Sequence, residues 1–152
     1  MHYWLMKSEP DVFSIDDLMH KPGRIEPWEG VRNYQARNML RDDLKKGDLA
    51  FFYHSSCAIP AIAGIIEVVK EGYPDPTAFV PQHKYYDPKS NPDNPTWYLV
   101  DVIYKRKLKH AITLTELRDK QPLQNMKLLQ KGNRLSVMPV TKKEWDYILS
   151  LE

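Results

Sequence analysis

The fold of this chain is decided by the stretch Asp48-Leu-Ala-Phe-Phe-Tyr-His54, followed after six residues by Ala61-Ile-Ala-Gly-Ile-Ile-Glu-Val-Val69. Both segments are rich in the β-branched and aromatic side chains that favour strands. The turn sequence Lys46-Gly47-Asp48 leads into the first segment, and Gly64 interrupts the second. Together they predict two adjacent strands.

Three other short segments also have the composition of strands: Tyr3–Met6, Tyr98–Tyr104 and Arg134–Met138. We expect Pro139 to end the last of these. Three capping boxes, each a Ser or Thr followed three residues later by an acidic residue, predict helices after Ser14, Thr113 and Thr141. Strands and helices in this order lack the regular βαβ alternation of a doubly wound sheet. We predict one α+β domain over residues 1–152, a small mixed β-barrel of about five strands surrounded by short helices.

The segment from Tyr73 to Pro95 is predicted to be a long ordered loop. It holds six of the 12 prolines of the chain, and each proline fixes φ and favours an extended residue before it. The pair Tyr85-Tyr86 lies in its middle. Loops of this length inside compact domains often carry function, as lids or binding walls.

Composition predicts a globular protein of the cytoplasm. At 152 residues, with 42% hydrophobic and 11% aromatic side chains, the chain can bury a core. The single cysteine, Cys57, cannot form an internal disulfide, which favours a reducing compartment. The apolar run at the beginning is too short for a signal peptide, and no run approaches the ~18 residues of a membrane span.

Charge is distributed unevenly along the chain. Residues 1–100 carry 11 basic and 14 acidic side chains, whereas residues 101–152 carry 11 basic and 6 acidic ones. Much of this excess lies in the basic stripe, Lys105-Arg106-Lys107-Leu108-Lys109, which has no acid beside it in the sequence. Such a stripe can hold phosphates. It can equally be a solvated edge strand that lysines protect against pairing with other chains.

Several kinds of chemistry have little support in the sequence. His54 and Cys57 are three residues apart, but no third or fourth ligand accompanies them, so we expect no metal site. The same pair lacks the orienting third residue of a cysteine nucleophile. No glycine-rich phosphate loop is present, so we expect neither nucleotide hydrolysis nor a bound cofactor.

The stretch Trp28-Glu-Gly-Val-Arg-Asn-Tyr-Gln-Ala-Arg-Asn38 combines an aromatic, a glycine, two arginines and two amides. Asn33 is a plausible N-cap for a helix toward Leu44, although one oxygen cannot both cap a helix and read a ligand. Stacking faces for a flat ligand are available from Trp28, Tyr34, Tyr53 and Trp97. Candidate polar partners are Lys7, Ser8, Asn33, Asn38, His54, Ser55 and Ser136, with Arg32 and Arg37 for phosphates. For any single aromatic, packing in the core is the competing interpretation.

Six segments resemble the EVE domain in the order of that family: Tyr3–Pro10, Trp28–Asn38, Phe51–Ser55, Tyr85–Ser90, Trp97–Val102 and Arg134–Val140. The resemblance covers nearly the whole chain and implies a PUA-like fold with a base pocket in the barrel wall. One departure is Ala61, where the family pattern has glycine after Pro60. Carried over by position, the implied base pocket consists of Lys7, Ser8, Trp28, Asn33, Tyr34, Tyr53, His54, Ser55, Trp97 and Ser136.

The resemblance implies a non-catalytic reader that takes a modified base, either a modified cytosine in DNA or a modified base in RNA, into an aromatic pocket. Arg32, Arg37, Lys105, Arg106, Lys107 and Lys109 would then hold the nucleic-acid backbone. The alternative is an amidohydrolase acting on acylated cytidine, as in ASCH relatives, with Lys7, Ser8 and Glu9 at its centre. A module that binds proteins through the proline-rich loop is a third hypothesis.

Overall fold

In the computed structural model, which describes residues 1–152, six strands form one mixed sheet with the order β2-β5-β4-β3-β1-β6. The strands are β1 (Tyr3–Ser8), β2 (Ile25–Pro27), β3 (Leu49–His54), β4 (Ala61–Pro74), β5 (Tyr98–Thr113) and β6 (Val137–Val140). Only β1 and β3 pair in parallel, and every other pairing is antiparallel. The predicted α+β class with a mixed sheet is confirmed.

The sheet differs from the predicted barrel in four respects. It is not closed, because β2 and β6 remain edge strands, and it has six strands rather than five. The two longest strands, β4 and β5, run well past the predicted ends, and their register shifts at several bulges. Pro139 does not end β6 but lies inside it, opposite Trp4. An edge strand tolerates proline because one side of its backbone has no partner strand.

The helices begin where the sequence predicts them. They are α1 (Ile15–Met19), α2 (Tyr34–Asn38), α3 (Leu114–Arg118) and α4 (Lys142–Leu149), with a π-helical turn, Met39–Asp43, continuing α2. Short 3₁₀ turns lie at Pro22–Arg24, Pro76–Phe79, Gln121–Leu123 and Lys127–Leu129. All three capping boxes are formed. These local hydrogen bonds satisfy backbone N–H groups that the first helical turn leaves free, which is why they can be predicted from sequence.

The core consists of two hydrophobic layers, one on each face of the sheet. Alternation along β1 directs Trp4 and Met6 into one layer and Leu5 into the other. Helices α1 and α2 cover the first layer, and α3 and α4 cover the second. In the second layer Trp145 of α4 stacks on Phe51, with 4.0 Å between ring centroids. Full burial of each large apolar side chain contributes roughly 1.5–3 kcal/mol.

A buried aspartate sets where the two parallel strands begin. Asp48 is 3% exposed, and its carboxylate accepts hydrogen bonds of 3.0 Å from the Trp4 indole and from the backbone N–H groups of His2 and Lys45. Because a buried carboxylate needs such partners, β1 is held beside β3 in one register. Both strands consequently end at the same edge of the sheet, at Ser8 and His54.

No helix combines the length and the apolar character needed to cross a membrane.

Candidate binding cleft

A cleft of about 690 Å³ is lined by residues from both edge regions of the open sheet. One side is formed by Glu26 and Pro27 of the edge strand β2, and the opposite side includes Ser136, directly before the other edge strand, β6. Residues at or beside both edges of the open sheet therefore line one cleft.

The ends of three neighbouring strands bring polar groups to one rim of the cleft. The backbone N–H of Lys7 donates to the Ser136 carbonyl at 2.8 Å, and that of Ser55 donates to the Ser8 carbonyl at 3.0 Å. These bonds place all four residues on the cleft lining. The parallel pairing of β1 and β3 is the cause, since parallel strands end at the same side of a sheet.

Several polar side chains at the cleft have no partner in the protein. Neither Lys7 nor Glu29 takes part in any of the eight salt bridges. The hydroxyls of Ser55 and Ser136 are likewise unpaired and open to the cleft. Ser8 differs, because its hydroxyl donates to the Phe13 carbonyl at 2.5 Å. The cleft thus offers an amine, a carboxyl group and two hydroxyls to a ligand.

Burial shifts the pKa values of Lys7 and Glu29 in the direction that favours the uncharged form of each side chain. Desolvation lowers the pKa of Lys7. Desolvation also raises the pKa of Glu29, and the negative charge of Asp75 raises it further. Both shifts mean that the charged forms cost free energy in the unliganded protein. A ligand that hydrogen-bonds to the charged forms would offset that free energy.

Trp28 supplies a fixed apolar surface in the cleft. Its side chain lines the cleft although the residue is only 7% exposed. Its ring meets Phe52 edge-on at 5.4 Å between centroids, and its backbone N–H donates to the Val100 carbonyl at 2.8 Å. Packing and backbone hydrogen bonding therefore hold this ring in place before any ligand arrives.

The proline-rich loop provides a second aromatic wall. Tyr85 and Lys84 of this loop line the cleft. Tyr85 packs against Gly30, where a Cβ atom would approach the ring to 2.4 Å. Gly30 also has a φ of +85°, so glycine is required there both for conformation and for space. Arg32 donates to the Tyr85 carbonyl at 2.7 Å, which fixes the loop beside the cleft.

Asp75 anchors the same loop from inside the protein. Asp75 is 0% exposed. Its carboxylate accepts hydrogen bonds from the Gly30 N–H at 2.9 Å, the Arg32 guanidinium at 3.1 Å and the Thr77 hydroxyl at 2.6 Å. Burial by itself raises the pKa of Asp75, but these hydrogen bonds outweigh it and leave the pKa below its ordinary value. Arg32 is therefore the counter-ion of a buried carboxylate, although its side chain also lines the cleft.

Three of the sequence-predicted pocket residues have structural contacts instead. The Asn33 side chain caps α2, accepting from the Ala36 N–H at 2.9 Å. Tyr53 is 3% exposed and lies in the second hydrophobic layer, on the other face of the sheet. His54 accepts from the Ile15 N–H at 3.1 Å through Nε2, and burial lowers its pKa, which favours the neutral ring.

Two further predicted pocket aromatics, Tyr34 and Trp97, form a pair outside the cleft lining. Their rings stack at 5.1 Å, and the Trp97 indole donates to Asp87 at 2.7 Å. Arg37 lies over the Tyr34 ring and donates to the Thr96 carbonyl at 2.6 Å. This group joins α2 to the end of the proline-rich loop, away from the cleft lining.

The basic stripe has no acidic residue beside it in the sequence, but the fold brings distant carboxylates into contact with it. Lys105 pairs with Glu67 at 3.1 Å, and Lys107 pairs with Asp16 at 2.8 Å. Arg106 makes two hydrogen bonds with Glu152, of 2.8 and 2.6 Å. Lys109 donates to the same carboxylate only through its backbone N–H, at 2.9 Å. Most of the stripe is thus neutralised by residues far away in the sequence.

Sequence reasoning missed Glu29, Gly30 and Tyr85 as cleft residues. Glu29 and Gly30 stand beside Trp28 in the stretch already singled out, so a half-buried acid next to an aromatic was visible there. The Tyr85-Tyr86 pair was also visible, but only the fold shows that Tyr85 reaches the cleft. No group of three or more His, Cys, Asp and Glu side chains could hold a metal ion.

Comparison with known proteins gives one family for the chain. The EVE domain model matches residues 2–151. Human thymocyte nuclear protein 1 is 47% identical over 167 residues, covering 99% of this chain and 73% of that protein. A crystal structure of a Pseudomonas syringae protein is 50% identical, with a TM-score of 0.93 and 98% of each chain covered. The structure of human THYN1 protein in complex with DNA containing 5-methylcytosine is 47% identical, with a TM-score of 0.95, covering 99% of this chain and 97% of that one. This chain belongs to the EVE domain family.

Proposed function

We propose that this protein is a non-catalytic reader of a modified cytosine in DNA, which takes the base into the cleft between the two sheet edges. The observation that carries the proposal is the set of unpaired polar groups around the fixed Trp28 ring. The chemistry of the ligand is supported by the related human THYN1 protein, whose structure is of a complex with 5-methylcytosine DNA.

The aromatic walls suit a base that has left the helical stack. Extruding a base costs a few kcal/mol, and stacking on an aromatic side chain returns roughly 1–3 kcal/mol per base. Trp28 and Tyr85 both line the cleft. Their packing in the unliganded protein means that little ordering entropy is lost when the base enters.

The polar groups match the edge of a cytosine. Its exocyclic amine is a donor that acidic side chains can accept, and Glu29 is the half-buried, unpaired acid of the cleft. The acceptor atoms of the base can be met by the Lys7 ammonium and by the hydroxyls of Ser55 and Ser136. A 5-methyl group would contact apolar surface, for which Phe13 and Trp28 are available.

The test is a titration of duplexes that differ only in one 5-methyl group. We expect the wild-type protein to prefer the methylated duplex and Trp28→Ala to lose that preference, whereas Tyr34→Ala, which removes an exposed aromatic outside the cleft, should keep it. Because Trp28 is buried, its variant can lose stability, so Ser55→Ala serves as a second variant. Its hydroxyl has no partner in the protein, and it should weaken binding without changing the melting temperature. Normal discrimination by Trp28→Ala, together with wild-type affinity in Ser55→Ala, would overturn the proposal.

Amidohydrolysis of an acylated cytidine is the alternative. Lys7, Ser8 and Glu9 all line the cleft, although the Ser8 hydroxyl is engaged by the Phe13 carbonyl. Incubation with acylated cytidines, followed by mass spectrometry, separates the two functions. Release of the nucleoside by the wild type but not by Lys7→Ala would replace the reader by the enzyme.

A further inference from the structure

A second, smaller cleft continues the first along the same two chain segments. It has a volume of about 310 Å³ and is lined by Asn33, Gln35, Gly132, Asn133, Arg134 and Leu135. On each wall it begins one residue beyond the larger cleft, because Arg32 and Ser136 line the larger one. The two linings therefore follow each other directly along both chain segments.

The smaller cleft offers hydrogen-bond donors and no negative charge. Its lining includes one guanidinium and three side-chain amides, and none of its residues is acidic. The oxygen of Asn33 is occupied by the Ala36 N–H, which leaves its amide nitrogen as a donor. Such a lining favours an anion, and a guanidinium can bind two oxygens of a phosphate at once.

Hydrogen bonds hold the backbone around Arg134 in place, whereas its guanidinium forms no salt bridge. Its neighbour Asn133 donates to the Lys127 carbonyl at 2.6 Å and accepts from the Leu135 N–H at 2.9 Å. These bonds fix the turn on both sides of Arg134. Arg134 itself is exposed and takes part in none of the eight salt bridges. In this it differs from Arg32 and Arg106, whose guanidiniums are paired with carboxylates.

The spacing between the clefts corresponds to one step along a nucleic-acid strand. Arg134 stands two positions before Ser136, with Leu135 between them, and an extended chain covers at most about 7 Å over that distance. The Arg134 side chain therefore starts close enough to Ser136 to meet a phosphate next to a nucleotide whose base is held there.

We propose that the smaller cleft binds the phosphodiester next to the nucleotide whose base occupies the larger cleft, with Arg134 as the charged ligand and the amides of Asn33 and Gln35 beside it. The proposal rests on the proposed function, since it assumes a base in the larger cleft. Arg134 contacts the strand rather than the base. It therefore adds affinity and register without distinguishing a modified base from an unmodified one.

The experiment compares Arg134→Ala with Arg118→Ala, which removes an exposed, unpaired arginine from α3. Methylated and unmethylated DNA are titrated at several salt concentrations by fluorescence anisotropy. We expect Arg134→Ala to weaken binding of both DNAs by the same factor and to reduce the salt slope by about 0.7–0.9, the contribution of one phosphate contact. Arg118→Ala should match the wild type, and Arg134→Lys should recover the slope.

To locate the phosphate that Arg134 contacts, the phosphodiester on one or the other side of the methylated nucleotide is replaced with a neutral methylphosphonate. If the proposal holds, one of the two substitutions removes the difference between wild type and Arg134→Ala. An unchanged affinity and salt slope in Arg134→Ala would overturn the phosphate site, and so would a loss confined to methylated DNA. A wild-type protein that binds methylated and unmethylated DNA equally would instead refute the proposed function, even if Arg134→Ala weakened both.

Discussion

The cleft and the basic stripe carry the same kinds of charged side chains in opposite electrostatic states. In the cleft, burial lowers the pKa of Lys7 and raises that of Glu29, so each charge is disfavoured. In the stripe, hydrogen bonding to Asp16 raises the pKa of Lys107, and the Arg106 guanidinium lowers the pKa of Glu152 to about 2. The stripe stabilises its own charges, whereas the cleft leaves them for a ligand. A charge visible in the sequence is therefore not the same as a charge available for binding.

The largest expected difference between the two regions concerns their arginines. Arg32→Ala leaves the buried Asp75 carboxylate without its counter-ion, and breaking a buried pair in this way costs about 3–5 kcal/mol. Arg106→Ala breaks an ion pair whose arginine side chain is 45% exposed, which costs about 1 kcal/mol or less. Urea unfolding of the two variants measures the contrast. Equal losses of stability would show that Asp75 does not depend on Arg32.

Glycine substitutions sharpen the comparison by separating strain from cleft shape. Gly30 and Gly47 both have positive φ, of +85° and +95°, but a Cβ atom collides with Tyr85 only at Gly30. Either change to alanine should cost about 1–2 kcal/mol from the left-handed backbone, with a further loss at Gly30. Only Gly30→Ala should reduce DNA binding, because only there is the Tyr85 wall displaced. Thermal melting and anisotropy titrations give the two readouts, and normal binding by Gly30→Ala would remove Tyr85 from the site.

The two acids should respond to pH with opposite signs. The folded-state pKa of Glu29 is raised, so its carboxylate lowers stability as pH rises through that pKa. Glu29→Gln should therefore be more stable than the wild type at neutral pH and equal to it below the ordinary glutamate pKa of about 4.3.

Glu152 has a folded-state pKa of about 2, so its stabilising contribution is fully present above the ordinary glutamate pKa of about 4.3. That contribution is lost as pH falls below the ordinary pKa toward the folded-state pKa. Glu152→Gln should accordingly be less stable than the wild type at neutral pH, and the difference should shrink in acid. Unfolding curves between pH 7 and 3 test both signs. The same sign for the two variants would break the comparison between cleft and stripe.

The smallest effect is expected for Lys107→Ala. The family resemblance placed Lys107 among the residues that would hold the nucleic-acid backbone, but its ammonium is already paired with Asp16. We now expect DNA affinity to change by less than about twofold, or about 0.4 kcal/mol. Salt titrations beside Arg134→Ala measure it, and a comparable loss in the two variants would return the phosphate-binding role to the stripe.

Sequence reasoning succeeded where the interactions are local. The capping boxes at Ser14, Thr113 and Thr141 connect residues three apart, and all formed as predicted. The strand β2 was missed because it has only three residues, one of them Pro27, and it exists only through its pairing with β5. The position of Tyr53 was also out of reach, since alternation along a strand shows that two faces exist but not which one lines a cleft.

By itself, the sequence determined the α+β class, the helix starts, the central strands and the family resemblance, because composition, periodicity and short-range hydrogen bonds are written along the chain. Only the tertiary structure decided which polar groups are free. The side-chain oxygen of Asn33 caps a helix, and Arg106 is neutralised by Glu152, 46 residues away. Lys7 and Glu29 meet at one cleft without partners. The physical reason is that the free energy of a charged or polar group depends on burial and on neighbours that the fold brings from distant parts of the chain.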